Sequence, residues 1–288
     1  MKKSHKTLLY CALSLFMGGL TACDDVKEGD RYIDMGTVTA ERAVLLEDFT
    51  GQECLNCPIA HETIDGLIEQ YGADHVVAVS IHSGPLSIYI NRTNFETGFI
   101  GLMNRQGETI KNSYGISSFP MGVINFGSPT TYDNWATEVR NAIAIPTDIK
   151  LNLEASYTPD EKDGENGYFG TINMKASILA GEAKNVNVQF WIVEDGIQAR
   201  QKLPDGSYNE KYVHNNVFRA QVFDSMEGNS VTLTKNMAMD VTGNIVTHWD
   251  KKEHWELENL GVIAIVSDAS GVLQVKRVPL FPKADNNE

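Results

Sequence analysis

A strand, a helix and a second strand follow one another early in the chain, and this order constrains the fold more than any other feature. The first strand is predicted at ERAVLLEDF (41–49) and the second at HVVAVSIH (75–82), because both contain apolar runs. Between them, CPIAHETIDGLIEQYG (57–72) has apolar residues near helical spacing, and Pro58 suits a first helical turn. Strand, helix and strand in this order predict a βαβ unit with a parallel sheet.

The residues that follow this unit complete a predicted α/β domain. Residues 83–112 are mixed in composition, and we interpret them as an insertion with one or two short helices. A further strand is predicted within ISSFPMGVINFG (116–127), and a closing helix at DNWATEVRNAIA (133–144), with Asp133 as its N-cap. The α/β domain is therefore expected to span residues 37–145.

The sequence from residue 146 onward is predicted to form a separate all-β domain. Strand-like runs with alternation are separated there by polar or glycine-bearing turns, and no convincing long helix interrupts them. This pattern is typical of a β-sandwich of immunoglobulin-like or jelly-roll-like architecture, which we assign to residues 146–288. The runs are 149–158, 167–178, 186–194, 229–241, 260–267 and 272–280.

The first residues have the pattern of an export signal. MKKSHK carries three lysines and no acid, a short apolar run follows it, and small residues precede Cys23. This pattern predicts a signal peptide at residues 1–22. The ending Leu20-Thr21-Ala22-Cys23 resembles a bacterial lipobox, which implies cleavage before Cys23 and lipidation of that cysteine; an ordinary secretory peptide is the alternative. Residues 23–36 are polar and acidic and are expected to form a flexible tether.

The charge of the chain limits its partners. The formal net charge is −14, and removal of residues 1–22 with their three lysines makes it −17. Such an acidic surface argues against nucleic acid and against anionic lipid head groups as partners. No later segment has the roughly 18 apolar residues that a transmembrane helix requires. Attachment to a membrane is therefore expected through the lipid anchor alone.

Two cysteines, Cys54 and Cys57, are left as thiols once the signal peptide is removed and Cys23 is lipidated. An exported protein meets an oxidising environment, so this pair can form a disulfide. The pair lies where the predicted helix begins, and unpaired N–H groups at a helix N-terminus stabilise a thiolate. We expect Cys54 to be the exposed nucleophile and Cys57, further into the helix, to be the more buried resolving thiol.

The surroundings of these cysteines resemble thioredoxin in three places. In LLEDFTGQECLNCP, Asp48 lies six residues before the first cysteine, where thioredoxins have a buried acid. In YGISSFPMGVIN, Pro120 matches the thioredoxin cis-proline. The resemblance implies that Asp48 assists proton transfer, and that Pro120 packs beside the cysteines and leaves the preceding backbone free to pair with a peptide substrate.

The sequence departs from the thioredoxin pattern near the cysteines. Glu53 stands where thioredoxins carry tryptophan, and its carboxylate is expected to disfavour a neighbouring thiolate. Pro58 replaces the basic residue that commonly follows the second cysteine. The separation of Cys57 from Pro120 is also longer than in thioredoxins, and the insertion at 83–112 accounts for it.

The chain as a whole resembles the outer-membrane-protein-28-related lipoproteins of Bacteroidetes. The resemblance is carried by the lipoprotein signal, EDFTGQECLNCPIAH, the Phe-Pro segment and a later β-rich part that contains YVHNNVFRA. It implies an outer-membrane lipoprotein, facing the periplasm or displayed on the surface, with a thioredoxin-like N-terminal domain and a β-rich C-terminal domain. We interpret His214 and Arg219 of the YVHNNVFRA segment as hydrogen-bonded residues of a β-domain turn.

Two hypotheses about function follow. The first is a thiol–disulfide oxidoreductase for exported client proteins, with Cys54, Cys57, Asp48 and Pro120 as its site and no cofactor beyond the redox-active disulfide. The second is a surface binding or adhesion lipoprotein in which the cysteine pair is a structural disulfide.

A zinc site is a third interpretation of the cysteine pair. Two cysteines and two histidines, Cys54, Cys57, His61 and His82, supply the ligand types of a tetrahedral zinc site. Their spacing matches no common zinc pattern, so this interpretation ranks below both the redox and the structural one.

Overall fold

The computed structural model describes residues 42–90, 100–160, 169–248 and 255–282. These residues are mostly β-strand and form several sheets. The α-helices are α1 (Cys57–Tyr71), α2 (Arg105–Ser113) and α3 (Tyr132–Ile143). The strands are β1 (Val44–Thr50), β2 (Val76–His82), β3 (Met121–Ile124), β4 (Ile149–Pro159), β5 (Phe169–Ala180), β6 (Lys184–Glu194), β7 (Ile197–Lys202), β8 (Tyr208–His214), β9 (Val217–Gln221), β10 (Asn229–Leu233), β11 (Ala238–His248), β12 (Leu260–Asp268) and β13 (Gly271–Pro279). The predicted signal peptide, Cys23 and the tether lie outside the described residues, as do residues 91–99 of the predicted insertion.

The predicted βαβ unit is present. Strands β1 and β2 are parallel neighbours, with Val44 opposite Val76 and Thr50 opposite His82, and α1 connects them. Strand β3 pairs antiparallel with the other side of β1. Every residue of β1 and β2 is buried, because helices cover one face and a second apolar core covers the other. This double burial explains why both segments read as nearly continuous apolar runs.

One face of β1 and β2 packs against α1 and α3. Side chains alternate between the two faces of a strand, so even-numbered residues of both strands point toward these helices. The buried members of this core are Val44, Leu46, Ala60, Ile64, Leu67, Val76, Ala78, Ile124, Trp135, Val139, Ala142 and Ile143. Further along the same face, the apolar residues give way to polar ones, including Asp48 and His82.

A large mixed sheet contains strands from both of the predicted domains. Its order is β13-β12-β6-β9-β2-β1-β3, and β10 pairs with β6. The link between the two parts is a short parallel pairing of β2 with β9, where the Ser80 N–H donates to the Asn216 carbonyl at 2.7 Å. The division into domains at residue 146 stays a prediction, but the hydrogen bonding of the sheet does not stop there.

The expected β-rich architecture of the second half is confirmed. A three-stranded sheet in the order β11-β5-β4 and the β6–β12 part of the large sheet share one apolar core. Inward-facing residues alternate along each strand, as in sheets that pack face to face. The larger buried side chains of this core are Ile149, Leu153, Ile172, Met174, Ile178, Val188, Phe190, Ile192, Val262 and Val266.

The other face of the large sheet forms a second core that joins its two ends. This core combines residues of β1 and β2 with residues of β6, β9, β12 and β13, and α2 contributes Ile110. The ends also meet by hydrogen bonds: the Val272 N–H donates to the Asn125 carbonyl at 3.1 Å, and the Ala43 N–H donates to Gln274 at 2.8 Å. The sheet therefore coils around this core.

Three details differ from the sequence-based expectation. Strands β7, β8 and β9 were not predicted, and the run at 229–241 is broken into β10 and β11 by a turn in which Asn236 has a φ of 56°. The α3 N-cap is Thr131, so Asp133 lies in the first helical turn. Residues 161–168, between β4 and β5, lie outside the described residues.

One carboxylate lies inside the core that joins the sheet ends. Glu47 is fully buried on β1, and the Tyr114 hydroxyl donates to its Oε2 at 3.1 Å. Burial raises the pKa of Glu47 to about 8, although the hydrogen bond from Tyr114 acts in the opposite direction. Between its ordinary pKa of 4.5 and this value, the folded protein holds a proton that the unfolded chain releases. Stability is therefore lost as pH rises through this window.

We expect Glu47→Gln to remove this loss of stability, because the amide stays neutral and still accepts from Tyr114. As pH rises from about 5 to 8, the free energy of unfolding of the variant should increase relative to that of the wild type by at most about 5 kcal/mol. Urea unfolding at a series of pH values measures the difference. The exposed Glu154→Gln on β4 is the matched control, and wild-type and Glu47→Gln curves that stay parallel would contradict the prediction.

Candidate functional site

Cys54 and Cys57 are joined in a disulfide, with their Cα atoms 5.5 Å apart. Cys57 is the first residue of α1, and Pro58 follows it in the first turn, where a missing N–H costs nothing. The sulfurs therefore lie where a strand, a short loop and a helix N-terminus meet. The predicted position of the pair at the start of α1 is confirmed.

The disulfide is buried. Cys57 has no exposed surface and Cys54 is 2% exposed, so the expectation of an exposed Cys54 is wrong. The cover comes from β7 and β8, a two-stranded hairpin that was not predicted from the sequence. We call β7, β8 and their connecting turn the hairpin.

The hairpin is held against the cysteine loop by backbone and amide hydrogen bonds. The buried side chain of Gln201 donates from Nε2 to the carbonyls of Cys54 at 3.0 Å and Gly51 at 3.3 Å. The Lys202 N–H donates to the Gln52 carbonyl at 2.8 Å. Strand β7 thus lies alongside the loop that precedes Cys54, and the buried side chain of Gln201 packs against the backbone of Cys54.

The tip of the hairpin also engages Glu53. The Tyr208 hydroxyl donates to Glu53 Oε2 at 2.8 Å, and an Arg200 guanidinium nitrogen lies 3.6 Å from Glu53 Oε1. The guanidinium stacks over the Tyr208 ring at 3.6 Å, a cation–π arrangement. Arg200 therefore offsets part of the negative charge that Glu53 places next to the first cysteine.

Asp48 lies on β1, on the face covered by α1. It is fully buried, and within the described residues neither of its carboxylate oxygens accepts a hydrogen bond. His61 lies beside it, with its Nε2 3.4 Å from Asp48 Oδ2. His61 follows Cys57 by four residues, so the two share one face of α1. Asp48 thus lies beneath the helical face that carries the second cysteine.

His61 is held between two hydroxyl groups. Its Nδ1 is 3.0 Å from the Tyr212 hydroxyl on β8, and its Nε2 is 3.1 Å from Thr50 Oγ1 on β1. Its side chain is 15% exposed, whereas the carboxylate of Asp48 is fully buried. His61 is therefore a partly solvent-exposed group in contact with the buried acid.

Two more histidines complete a cluster around His61, which we call the histidine cluster: His61, His82 and His214. The ring centroids of His82 and His214 are 5.2 Å apart, and those of His61 and His214 are 6.3 Å apart. Tyr212 packs edge-on against His214 at 4.8 Å. A cavity of about 40 Å³ is lined by the cluster, by Tyr212 and by neighbouring residues.

His82 and His214 are neutral at ordinary pH. Burial, together with nearby positive charge, lowers the pKa of His82 well below its usual value and that of His214 to about 3. The backbone at Ala199 and Arg200 opposes the shift of His214 only weakly. Within the described residues, no ring nitrogen of either histidine has a hydrogen-bond partner of standard geometry. The expected hydrogen bonding of Arg219 is confirmed by its 2.7 Å ion pair with Glu194.

Pro120 lies immediately before β3, and the Phe119–Pro120 peptide bond is cis. Strand β3 pairs with β1 so that Gly122 is opposite Asp48. A side chain at Gly122 would collide with the Trp135 indole at 2.3 Å, so glycine is needed for α3 to pack this closely. The cis-proline thus precedes the strand that pairs with β1 at the buried acid.

The zinc interpretation finds no support. The sulfurs of Cys54 and Cys57 are bonded to each other, so in this form neither is a thiolate ligand. In the part of the chain that the structure describes, no group of three or more histidine, cysteine or acidic side chains is arranged to hold a metal ion.

The sequence did not point to several residues of this site. Gln201, Tyr208, Tyr212 and His214 all reach the site from the hairpin. Tyr212 and His214 belong to the YVHNNVFRA segment, but nothing in that segment predicts contact with the cysteine loop or with α1. From the sequence, His61 is a candidate only as a zinc ligand. Its position one helical turn after Cys57 is the signal that would place it on the helical face that meets Asp48.

Solved structures from Porphyromonas gingivalis are similar to this chain. The chain superposes on HBP35 of Porphyromonas gingivalis with a TM-score of 0.60 at 13% identity, over 86% of this chain and 78% of that one, which indicates a shared fold. A domain of the outer membrane lipoprotein Omp28 from Porphyromonas gingivalis is 18% identical, with a TM-score of 0.30, over 49% of this chain and 94% of that one. No curated protein matches the sequence.

Within the described ranges, no helix is both long enough and apolar enough to cross a membrane. The family model described as outer membrane protein Omp28 matches residues 107–283. Because that match spans more than half of the sequence, the chain belongs to the Omp28 family and is an outer membrane protein.

Proposed function

We propose that this protein is a lipid-anchored thiol–disulfide oxidoreductase that acts on exported client proteins. The observation that carries the proposal is the Cys54–Cys57 disulfide at the N-terminus of α1, with the buried carboxylate of Asp48 beneath the same helical face. A structural disulfide has no need of an acid in this position. The anchor on Cys23 belongs to the same proposal.

A thioredoxin-like arrangement of residues 37–145 is part of this proposal. Its support is the parallel β1–α1–β2 unit, the second cysteine at the start of α1, and an antiparallel β3 that follows a cis-proline at Pro120. Helix α3 then packs on the same face as α1. In such an arrangement the backbone before Pro120 pairs with the client segment that carries the reacting sulfur.

The exchange begins from the disulfide when a client thiolate attacks the Cys54 sulfur. A bond forms between the client sulfur and Cys54, the Cys54–Cys57 bond breaks, and Cys57 leaves as a thiolate that takes a proton from Asp48. A second client thiolate then attacks the first client sulfur and releases Cys54 as a thiolate, which the helix N-terminus stabilises. The client is oxidised by two electrons and the protein is reduced by two. The reverse sequence, which starts from the dithiol, reduces a client disulfide.

We expect Cys57→Ser to accumulate mixed disulfides with exported proteins, because Cys54 still reacts and nothing resolves the product. Non-reducing electrophoresis and mass spectrometry of envelope fractions measure these adducts, and Cys54→Ser should form none. Recovery of no adduct, together with a Cys54–Cys57 reduction potential below about −300 mV, as in inert structural disulfides, would sink the proposal.

The burial of the disulfide favours a second candidate function. With Cys54 and Cys57 both covered by the hairpin, the bond can be a structural staple in a surface binding or adhesion lipoprotein. Its role would then be to fix the loop between β1 and α1. The two functions differ in how the disulfide becomes accessible, because exchange needs a local opening of the hairpin and a staple needs none.

We expect reduction of the disulfide by a phosphine to proceed through local opening of the hairpin. Its rate in the folded wild type should then be nearly independent of urea at low concentrations. Tyr208→Phe loses the hydroxyl bound to Glu53 and should react several-fold faster, because that hydrogen bond is worth about 1 kcal/mol. Thiol release measures the rate, and Tyr157→Phe on the distant β4 is the control.

A contrary outcome of this measurement has a clear form. If the rate rises with urea along the global unfolding curve, and Tyr208→Phe accelerates it only as far as the variant loses overall stability, the disulfide opens only by unfolding. That result would favour the structural disulfide and the binding function.

A further inference from the structure

The buried acid needs a route for its proton. In each round of the proposed exchange Asp48 gives up or takes one proton, yet its side chain has no exposed surface. Within the described residues its oxygens accept no hydrogen bond, so no donor already in place supplies that proton. A neighbouring group that meets both the carboxylate and solvent must therefore restore it.

His61 meets both. Its Nε2 is 3.4 Å from Asp48 Oδ2, close to hydrogen-bond length, and a shift of a few tenths of an ångström completes the contact. The side chain is 15% exposed and lines the 40 Å³ cavity, which has room for at least one water molecule. We propose that His61 carries protons between solvent and Asp48, a relay that rests on the thiol–disulfide exchange proposed above.

The other histidines of the cluster do not serve this relay. Burial keeps His82 and His214 neutral, as their lowered pKa values indicate, so neither holds a proton to give near neutral pH. Their rings instead surround His61 with polarizable but uncharged groups. The relay therefore depends on the one histidine of the three that touches Asp48.

Tyr212 positions the relay from the hairpin. Its hydroxyl is 3.0 Å from His61 Nδ1, which leaves Nε2 directed toward β1, where Asp48 and Thr50 lie. Burial raises the pKa of Tyr212 to about 12, with nearby carboxylates adding to the shift, so its hydroxyl stays protonated. Tyr212 is thus a positioning residue, and the hairpin that covers the disulfide also orients the histidine.

The charges around His61 come from every element packed against it, and carboxylates predominate. Burial raises the pKa of Asp65, the acid that faces His61 from its own helix, and the interaction with His61 lowers it. The titratable groups that surround His61 are Asp48 on β1, Glu62 and Asp65 on α1, His82 on β2, and Tyr212 and His214 on β8.

The relay moves one proton per step. After Asp48 has protonated the leaving Cys57 thiolate, the imidazolium of His61 donates its Nε2 proton to the Asp48 carboxylate. The neutral imidazole keeps its Nδ1–H toward the Tyr212 oxygen, and the partly exposed ring then regains its second proton from solvent. In the opposite direction, Asp48 takes the proton of the Cys57 thiol and passes it to solvent through the same atoms.

The test follows one step in the purified full-length protein. The reduced protein is mixed with glutathione disulfide, and the decay of the Cys54–glutathione mixed disulfide is followed by acid quench and mass spectrometry. We expect His61→Ala to slow this resolution about 10-fold near pH 7 and to change its pH dependence. His75→Ala is the control: His75 lies just before β2, at the end opposite His82, and its replacement should change neither the rate nor its pH dependence.

Two further measurements separate a relay from structural damage. Free imidazole should restore most of the lost rate in His61→Ala but not in Asp48→Asn, and the double variant should be no slower than Asp48→Asn alone. His61→Gln, which retains a hydrogen-bonding side chain but carries no proton, should be as slow as His61→Ala. A slow His61→Ala that imidazole does not rescue, or whose pH profile matches the wild type, would overturn the relay.

The relay and the exchange fail in different ways. A wild-type protein whose Cys54 forms no mixed disulfide with glutathione disulfide would overturn the exchange and the relay with it. Normal exchange with unchanged kinetics in both His61 variants would overturn the relay alone. The contact itself has an independent readout, because the imidazole ¹⁵N resonances of His61 should shift in Asp48→Asn and stay in place in Asp74→Asn.

Discussion

The backbone conformation of Asn216, between β8 and β9, is the constraint on which the rest of the site depends. Asn216 has a φ of 58°, a left-handed conformation that asparagine tolerates better than most residues. Its carbonyl accepts from Ser80, its N–H donates to Asp195, and its side-chain oxygen accepts from Arg277. This one residue turns the chain from β8 into β9, so that β9 pairs with β2 while His214, two residues earlier, packs against His61 and His82.

Strand β1 shows how that arrangement gives two neighbouring carboxylates different environments. Glu47 and Asp48 are adjacent and fully buried, but strand alternation points them to opposite faces of the sheet. Glu47 faces the apolar core and Tyr114, where burial raises its pKa to about 8. Asp48 faces α1 and His61. Glu47 is thus on the wrong face for the cysteines, and position on the strand singles out Asp48 as the acid for the proposed exchange.

The sequence predicted the parts of the site whose signals are local. Apolar spacing indicated the β1–α1–β2 unit. The resemblance to thioredoxin singled out Asp48, six residues before Cys54, and Pro120 in YGISSFPMGVIN. The burial of Cys54 had no local signal, because its cover comes from Gln201, which lies 147 residues away in sequence. Strands IQARQK and YNEKYVH were missed since they carry few apolar residues, and they bury themselves mainly against the cysteine loop and α1 rather than in a large core.

Burial of the disulfide does not by itself decide between exchange and a structural role. The base of the hairpin is anchored, because Ile197 and Ala199 pack with Leu102 in a small apolar core. Its tip is held by hydrogen bonds through Gln201, Lys202 and Tyr208, each worth roughly 0.5–1.5 kcal/mol, and by a surface ion pair worth at most about 1 kcal/mol. Their sum is a few kcal/mol, less than the roughly 5–15 kcal/mol that typically separates folded from unfolded domains. The tip therefore opens more readily than the domain unfolds, and such an opening is the access to Cys54 that the proposed exchange requires.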